Sequence, residues 1–187
     1  MRRRVAETRL EDLAKIAVVG YRRDMATFQD LVTRAERIGA ILKDRKETVC
    51  VAESSTGGLI SAALLGVAGA SAYFIGGAVV YTLKARRDLL GIADGSFKGV
   101  RGLTEEGAIL FARAARERLG VNWAISEIGA AGPTGSRYGD PAGHSCIAVT
   151  GAAEKATTVD TGSPDRVANM YAFAAAALDL FAQCLGK

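Results

Sequence analysis

The feature that most constrains this chain is a six-residue turn, Glu53-Ser54-Ser55-Thr56-Gly57-Gly58, set between a β-favouring run and a helical one. Thr48 to Ala52 reads as a short strand, and Leu59 to Leu65 reads as a buried helix that Gly66 and Gly69 end. Two small hydroxyl residues followed by two glycines let the backbone turn tightly at a helix start. A strand that passes directly into a helix belongs in a layered α/β domain. Backbone N–H groups exposed there can hold a phosphate, a carboxylate or a developing oxyanion. Ser54 is then either a nucleophile or a cap, and the pattern alone leaves both open.

The rest of the chain supplies the other layers. Val5, Leu10, Leu13, Ile16 and Ala17 recur at helical steps and predict a peripheral helix in an N-terminal extension, residues 1–24. Asp24 opens a second helix carrying Phe28, Leu31, Ala35, Ile38 and Leu42. Ala78-Val79-Val80-Tyr81, introduced by Gly76-Gly77, is apolar enough to predict a central strand. Lys84 to Leu90 reads as a short helix stopped by Gly91. Thr104 caps another, with Glu105 and Glu106 in its first turn and Gly120 at its end. Strands follow at Trp123–Ile128, Cys146–Thr150 and Thr157–Thr161, and a final helix runs from near Pro164 to Cys184. The order, helices then β-α-β-α-α-β-β-β-α, predicts a single three-layer α/β/α domain with a mixed sheet over residues 25–187.

A length of 187 residues fits one such domain, and a chain 49% hydrophobic and 24% charged is not a disordered one. The net charge of +4 owes much to Arg2, Arg3, Arg4, Arg22 and Arg23. No basic stretch is interleaved with aromatics, so nucleic acid is not an expected partner. Cys50, Cys146 and Cys184 are odd in number, widely spaced and set in apolar runs. They form no metal-ligand set and point to a reducing compartment. Glu7 and Glu11 precede any apolar run, which argues against a secretory signal, and the apolar stretches are wrong for a membrane span. The expectation is a cytoplasmic domain with no metal, no cofactor and no membrane partner. His144, the single histidine, sits beside Gly143 before a strand, a place for a loop or edge residue. A nucleophilic Ser54 therefore needs a lysine or tyrosine as its base.

Four blocks carry a resemblance: Ala52-Glu53-Ser54-Ser55-Thr56-Gly57-Gly58, Gly69 through Tyr81, Leu89-Leu90-Gly91, and Gly129-Ala130-Ala131-Gly132-Pro133. In order and spacing they resemble the C-terminal domain of the competence- and damage-inducible (CinA) protein family, over roughly residues 25–185. The resemblance implies a nicotinamide-nucleotide amidase. Its members with activity convert nicotinamide mononucleotide to nicotinate mononucleotide and ammonia. It implies a small-molecule nucleotide ligand and a homo-oligomer, most simply a dimer. Carried over by position, Ser54 is the nucleophile, Tyr81 its neighbour, and Arg86 stands where the family has its lysine. Glu53, Ser55, Thr56, Gly57, Gly58, Gly129, Gly132, Pro133 and Thr134 are implied to bind the ligand.

Several positions depart from the pattern. Arg86 cannot serve as a general base, because a guanidinium stays charged at any working pH. Lys84 points about 200° around the helix from it. Asp140 replaces a lysine, and Pro164 and Ala168 stand at the positions of two arginines, with Arg166 between them. Fewer positive charges weaken a phosphate site. The alternative function is thus an inactive relative that binds a nucleotide or phosphate ligand. Glu127 stands at an apolar position of the family pattern; the sequence leaves open whether it pairs with Arg86 or faces solvent.

Overall fold

The computed structural model describes residues 26–93 and 100–186. The expected helix over residues 5–19, Arg2, Arg3, Arg4, Arg22 and Arg23, and Gly95 and Gly99 lie outside the described residues. Helix α1 spans Phe28–Arg45. It starts later than Asp24 because Thr27 and Asp30 form a capping box, with Thr27 N–H donating to Asp30 at 2.7 Å. Strand β1 (Val49–Glu53) leads through the turn into α2 (Leu59–Leu65) and, after a 3-10 turn, into β2 (Phe74–Val79). Helices α3 (Leu83–Leu90) and α4 (Glu105–Leu119) follow, then β3 (Trp123–Ala130), β4 (His144–Thr150), β5 (Glu154–Asp160) and α5 (Arg166–Cys184). Thr104 caps α4 and Gly120 ends it in a left-handed conformation, as the sequence predicts.

The sheet order is β2-β1-β3-β4-β5. β1 pairs in parallel with β2 and β3, while β3–β4 and β4–β5 are antiparallel. The mixed sheet between helical layers is the expected class. The place of β2 is not. It is an edge strand, with Ile75 50% and Val79 43% exposed, and it ends at Val79, so Tyr81 lies beyond it. The reason is topological: β3 pairs with the other side of β1, and among the described residues no strand lies beyond β2.

Side-chain alternation sends Val49, Val51, Ile125, Ile147 and Val149 to the face covered by α1, α2 and α5. Cys50, Ala52, Ala124, Ile128, Cys146 and Ala148 go to the face covered by α4. Helix α5 is long and apolar enough by length and composition to cross a membrane, but it buries Phe173, Ala174, Ala177, Leu178 and Phe181 against the first of these clusters. From β1 the chain moves outward to β2, and from β3 it moves the other way to β4. The carboxyl ends of β1 and β3 therefore flank a topological switch point, where open α/β sheets form their crevices.

Candidate functional site

Both glycine-rich segments singled out in the sequence leave the sheet at this switch point. Glu53 and Glu127 are partners in the β1–β3 register, and both are fully buried on the face shared with α2 and α5. Glu53 Oε1 accepts from Ser61 N–H at 3.1 Å and Ser61 Oγ at 2.6 Å, and its Oε2 accepts from Ile60 N–H at 3.1 Å and Thr56 Oγ1 at 2.7 Å. Glu127 Oε2 accepts from the N–H groups of Ser54 at 3.1 Å and Thr56 at 3.0 Å. Its Oε1 accepts from Ser55 Oγ at 2.5 Å and Ser145 Oγ at 2.8 Å. Each carboxylate thus receives four donors, one for each lone-pair direction. Charge-assisted bonds of this kind make a buried carboxylate tolerable without a cation.

This corrects both alternatives for Glu127, which neither pairs with Arg86 nor faces solvent. It also corrects the expectation that the turn exposes its N–H groups, since those of Ser54 and Thr56 are taken up from inside. The side chains of Glu53, Ser55 and Thr56 are buried in this network, while Ser54 is half-buried and Gly57 exposed at the surface of the turn. Gly57, at φ +65°, lies beneath the Met170 methyl of α5. Among the described residues no side chain is hydrogen-bonded to Ser54 Oγ.

The second loop packs directly on the first. A Cβ at Gly129 would lie 2.6 Å from Ser55 Oγ and 2.8 Å from both Glu127 Oε1 and Ser145 Oγ, so only glycine fits between the strand and the turn. Gly132 is buried at φ +110°, and Pro133 and Thr134 beyond it are exposed. Asn169 of α5 anchors this loop by donating to Ala131 O at 2.8 Å and Ser163 O at 2.7 Å. Arg166 closes the edge of the site, donating from Nη1 to Gly132 O at 2.6 Å and from Nη2 to Tyr81 Oη at 3.1 Å. Tyr81 is 60% exposed.

Arg86 lies on α3, half-buried, with its guanidinium carbon 4.7 Å from the centre of the Phe111 ring. Burial lowers its pKa; neighbouring Tyr138 opposes that shift and Arg137 adds to it. Lys84 pairs instead with Asp88 in solvent. Asp140, expected only as a lost positive charge, is a buried anchor for its own loop, bonded to Arg101 and accepting from Ser136 Oγ at 2.6 Å. His144 opens β4, with Nδ1 2.7 Å from Asp160 Oδ1. A concavity of about 470 Å³ lies between α3 and α4, lined by residues including Leu90, Ile92 and Arg113, and neither Ser54 nor Tyr81 contributes to it. Among the described residues no group of acidic, cysteine or histidine side chains is placed to hold a metal.

Residues 32–185 match the family model described as the CinA C-terminal domain. The chain belongs to that family. A CinA-like protein of Salinibacter ruber is 35% identical over 148 residues, covering 79% of this chain and 36% of the relative. One of Chloroherpeton thalassium is 36% identical over 160 residues, covering 80% and 37%. The chain thus spans between about a quarter and little more than a third of the length of the curated relatives it matches. Among solved structures, a competence/damage-inducible protein of Agrobacterium tumefaciens superposes with a TM-score of 0.77 at 28% identity, covering 88% of this chain and 99% of that one. A CinA-superfamily protein of Escherichia coli, at 22% identity and a TM-score of 0.78, covers 87% and 94% and supports the fold alone.

Set beside this family, the structure adds residues that the sequence left without a role. In the sequence Arg166 is only a charge between Pro164 and Ala168, the positions of two family arginines, yet it reaches both Tyr81 and the Gly132 loop. Ser145 and Asn169 carried no motif at all. Glu127 gave a signal, a carboxylate in an otherwise apolar strand two residues before Gly129, but not its direction.

Proposed function

We propose that this CinA-family domain binds a pyridine nucleotide such as nicotinamide mononucleotide and hydrolyses its amide slowly, with Ser54 as nucleophile. The observation that carries the reading is the joining of the Ser54 turn to the Gly129–Gly132 loop at the β1/β3 switch point, bridged by Glu127. Ser54 adds to the amide carbonyl, ammonia leaves as the acyl–serine ester forms, and water then hydrolyses the ester to the acid. Tyr81 stands at the rim beside Arg166, whose guanidinium suits an anionic ligand group. The rate is low because Arg86 supplies no proton acceptor, and general-base catalysis is typically worth about 10²–10⁴-fold. We place the domain in a reducing cytoplasm and expect it to work as a homodimer.

One observation favours a second reading, binding without turnover. Glu127 already occupies N–H groups that an oxyanion would otherwise use, which removes part of the usual stabilisation of an acyl-transfer intermediate. Two measurements separate the readings. A thermal-shift series with nicotinamide mononucleotide, nicotinate mononucleotide and inorganic phosphate reports binding, since a ligand that binds only the folded state raises the melting temperature. Ammonia release by the natural protein and by Ser54→Ala reports turnover. A shift with no Ser54-dependent ammonia supports the binding module; no shift and no ammonia sinks both.

A further inference from the structure

Outside its immediate chemistry, the turn raises a question of charge. Strand–turn–helix junctions with two glycines receive anions because their N–H groups converge on one point. Here the point is filled. Glu127 Oε2 lies 3.1 Å from Ser54 N and 3.0 Å from Thr56 N, and it is delivered from β3, a neighbouring strand 73 residues away in sequence from Ser54. The other oxygen is held by Ser55 Oγ and Ser145 Oγ, so the carboxylate is pinned from β4 as well as from the turn. Gly129 keeps the space around it clear, because any Cβ there would overlap Ser55 Oγ, Glu127 Oε1 and Ser145 Oγ.

We propose that Glu127 is the positioning residue of the Ser54 turn: a resident anion that fills the turn's N–H cradle from inside, holds Ser54 in place and excludes anions of the solvent or of a ligand from that cradle. The inference rests on the reading that the Ser54 turn is the functional centre, but it makes no use of turnover. It assigns a ligand's phosphate or carboxylate to some other cation, since the turn carries a negative charge beneath it and has two fewer N–H groups to offer. Glu53 reinforces this. Its carboxylate lies beside Glu127 in register, and Thr56 Oγ1, 2.7 Å from Glu53 Oε2, is also 3.1 Å from Glu127 Oε2. The one hydroxyl proton serves the nearer oxygen. Glu53 orders the start of α2, and Glu127 orders the turn before it.

The experiment removes the resident carboxylate and offers another. Glu127→Ala vacates the cradle; formate and inorganic phosphate are the probes, with amide hydrogen exchange at Ser54 and Thr56 as the local readout and thermal melting as the global one. In the natural protein the two amides exchange slowly and neither anion changes their exchange, and formate leaves the melting temperature unchanged. In Glu127→Ala their exchange speeds by about 100-fold or more, the melting temperature falls, and formate reverses both with a saturable dependence. A general loss of packing gives no such selectivity for a small carboxylate. Equal response of the natural protein and the variant to formate, or unchanged exchange at the two amides in the variant, overturns the proposal. Should the alanine variant not fold, Glu127→Gln carries the test. Its amide fills the same space and its carbonyl can meet the two N–H groups, while Ser55 and Ser145 turn to accept from the NH₂ group. The expected result is a folded protein whose Ser54 and Thr56 amides exchange about tenfold faster, because a neutral acceptor binds N–H more weakly than a carboxylate; unchanged exchange in that variant overturns the proposal. An absence of ammonia release in the natural protein would end the amidase reading and leave these outcomes as they stand.

Discussion

Arg166, at the first turn of α5, ties Tyr81 to the Gly132 loop: Nη2 donates to Tyr81 Oη at 3.1 Å and Nη1 to Gly132 O at 2.6 Å. Because the guanidinium donates to the phenol oxygen, the phenol's own hydrogen is directed elsewhere. Neither partner is a carboxylate, and among the described residues Arg166 forms no ion pair. Its positive charge is available to a ligand, which the nearby N–H groups held by Glu127 are not. Asp165 next to it caps the helix, accepting from Val167 N–H at 3.0 Å and Ala168 N–H at 3.1 Å.

Replacing Arg166 by alanine is therefore expected to weaken binding of nicotinamide mononucleotide by at least about tenfold, measured by calorimetric titration, the loss of one charge-assisted contact of roughly 1.5–3 kcal/mol. Arg166→Lys restores only part of it, since an ammonium cannot bridge two acceptors in the planar geometry of a guanidinium. Stability changes little, because the side chain is exposed and its removal leaves no buried charge. An unchanged dissociation constant in Arg166→Ala would remove this residue from the site.

Glu53 offers a test of the scaffold instead of the ligand. Its carboxylate is the acceptor for Ile60 N–H, Ser61 N–H and two hydroxyls, all at or near the start of α2. Glu53→Ala leaves two backbone donors without that acceptor, at about 1–3 kcal/mol each. We expect a loss of at least about 3 kcal/mol, or roughly 6–12 °C in melting temperature for a domain of this size. Glu53→Gln should fall between the two, because one of its two heteroatoms is a donor facing donors. A melting temperature for Glu53→Ala within 2 °C of the natural protein, taken as roughly the limit of detection for such a shift, would show that these bonds are replaced by water at no net cost.

The contrast between Glu53 and Glu127 shows what could be read from the chain beforehand. Periodicity and punctuation located the α-helices and strands β1, β3 and β4, while β2 and β5 start at Phe74 and Glu154, ahead of the expected Ala78 and Thr157. Thr104, Gly120 and Pro164 marked ends that the structure keeps, with Asp165 as the actual cap of α5. These signals are local. The edge position of β2 was misread because an apolar run such as Ala78-Val79-Val80 reports burial without reporting which strand lies beside it. The partnership of Glu127 with the turn depends on the register Glu53↔Glu127, a pairing across 74 positions of sequence that no local pattern encodes. Arg166 was visible as a charge, but its reach to Tyr81 requires α5 to pack over the turn, as Met170 does above Gly57.

Cysteine chemistry gives a prediction with a definite sign. Burial raises the Cys50 thiol from 9.0 to about 12, and burial also raises Cys146, Cys184 and Tyr73. A folded-state pKa above the unfolded one means that the stability contributed by the neutral thiol is complete below about pH 9 and is lost as pH rises towards 12. The melting temperature should thus be level between about pH 7 and 8.5 and fall steeply above about pH 9, where thiols of ordinary pKa titrate. Cys50→Val should flatten part of that fall. At pH 8, a condition chosen just under the ordinary thiol range of about 8.5, iodoacetamide should leave Cys50 unmodified in the native protein and label it after denaturation, as read by peptide mass spectrometry. Full native labelling of Cys50 would show that the strand opens far more readily than its burial implies.

The last prediction concerns Arg86, whose place on α3 decides the rate under the amidase reading. Its guanidinium rests over Phe111, and burial lowers its pKa. The same burial acting on a lysine there would disfavour the ammonium form and raise the fraction of neutral amine, the species that can accept a proton. We expect Arg86→Lys to release ammonia from saturating nicotinamide mononucleotide at least about tenfold faster than the natural protein. That is part of the roughly 10²–10⁴-fold that a general base contributes. The full gain is not expected, since a base misplaced by about 1 Å can forfeit 10²-fold by itself. The increase should vanish in Arg86→Lys/Ser54→Ala, because the base then has no hydroxyl to activate. Arg86→Ala separates two roles. If it leaves the natural rate unchanged and that rate is already fast, another group serves as base and the assignment at position 86 is wrong. If both Arg86→Ala and Arg86→Lys are folded, bind the nucleotide and release no ammonia, the domain is a binding module whose turn is held for recognition.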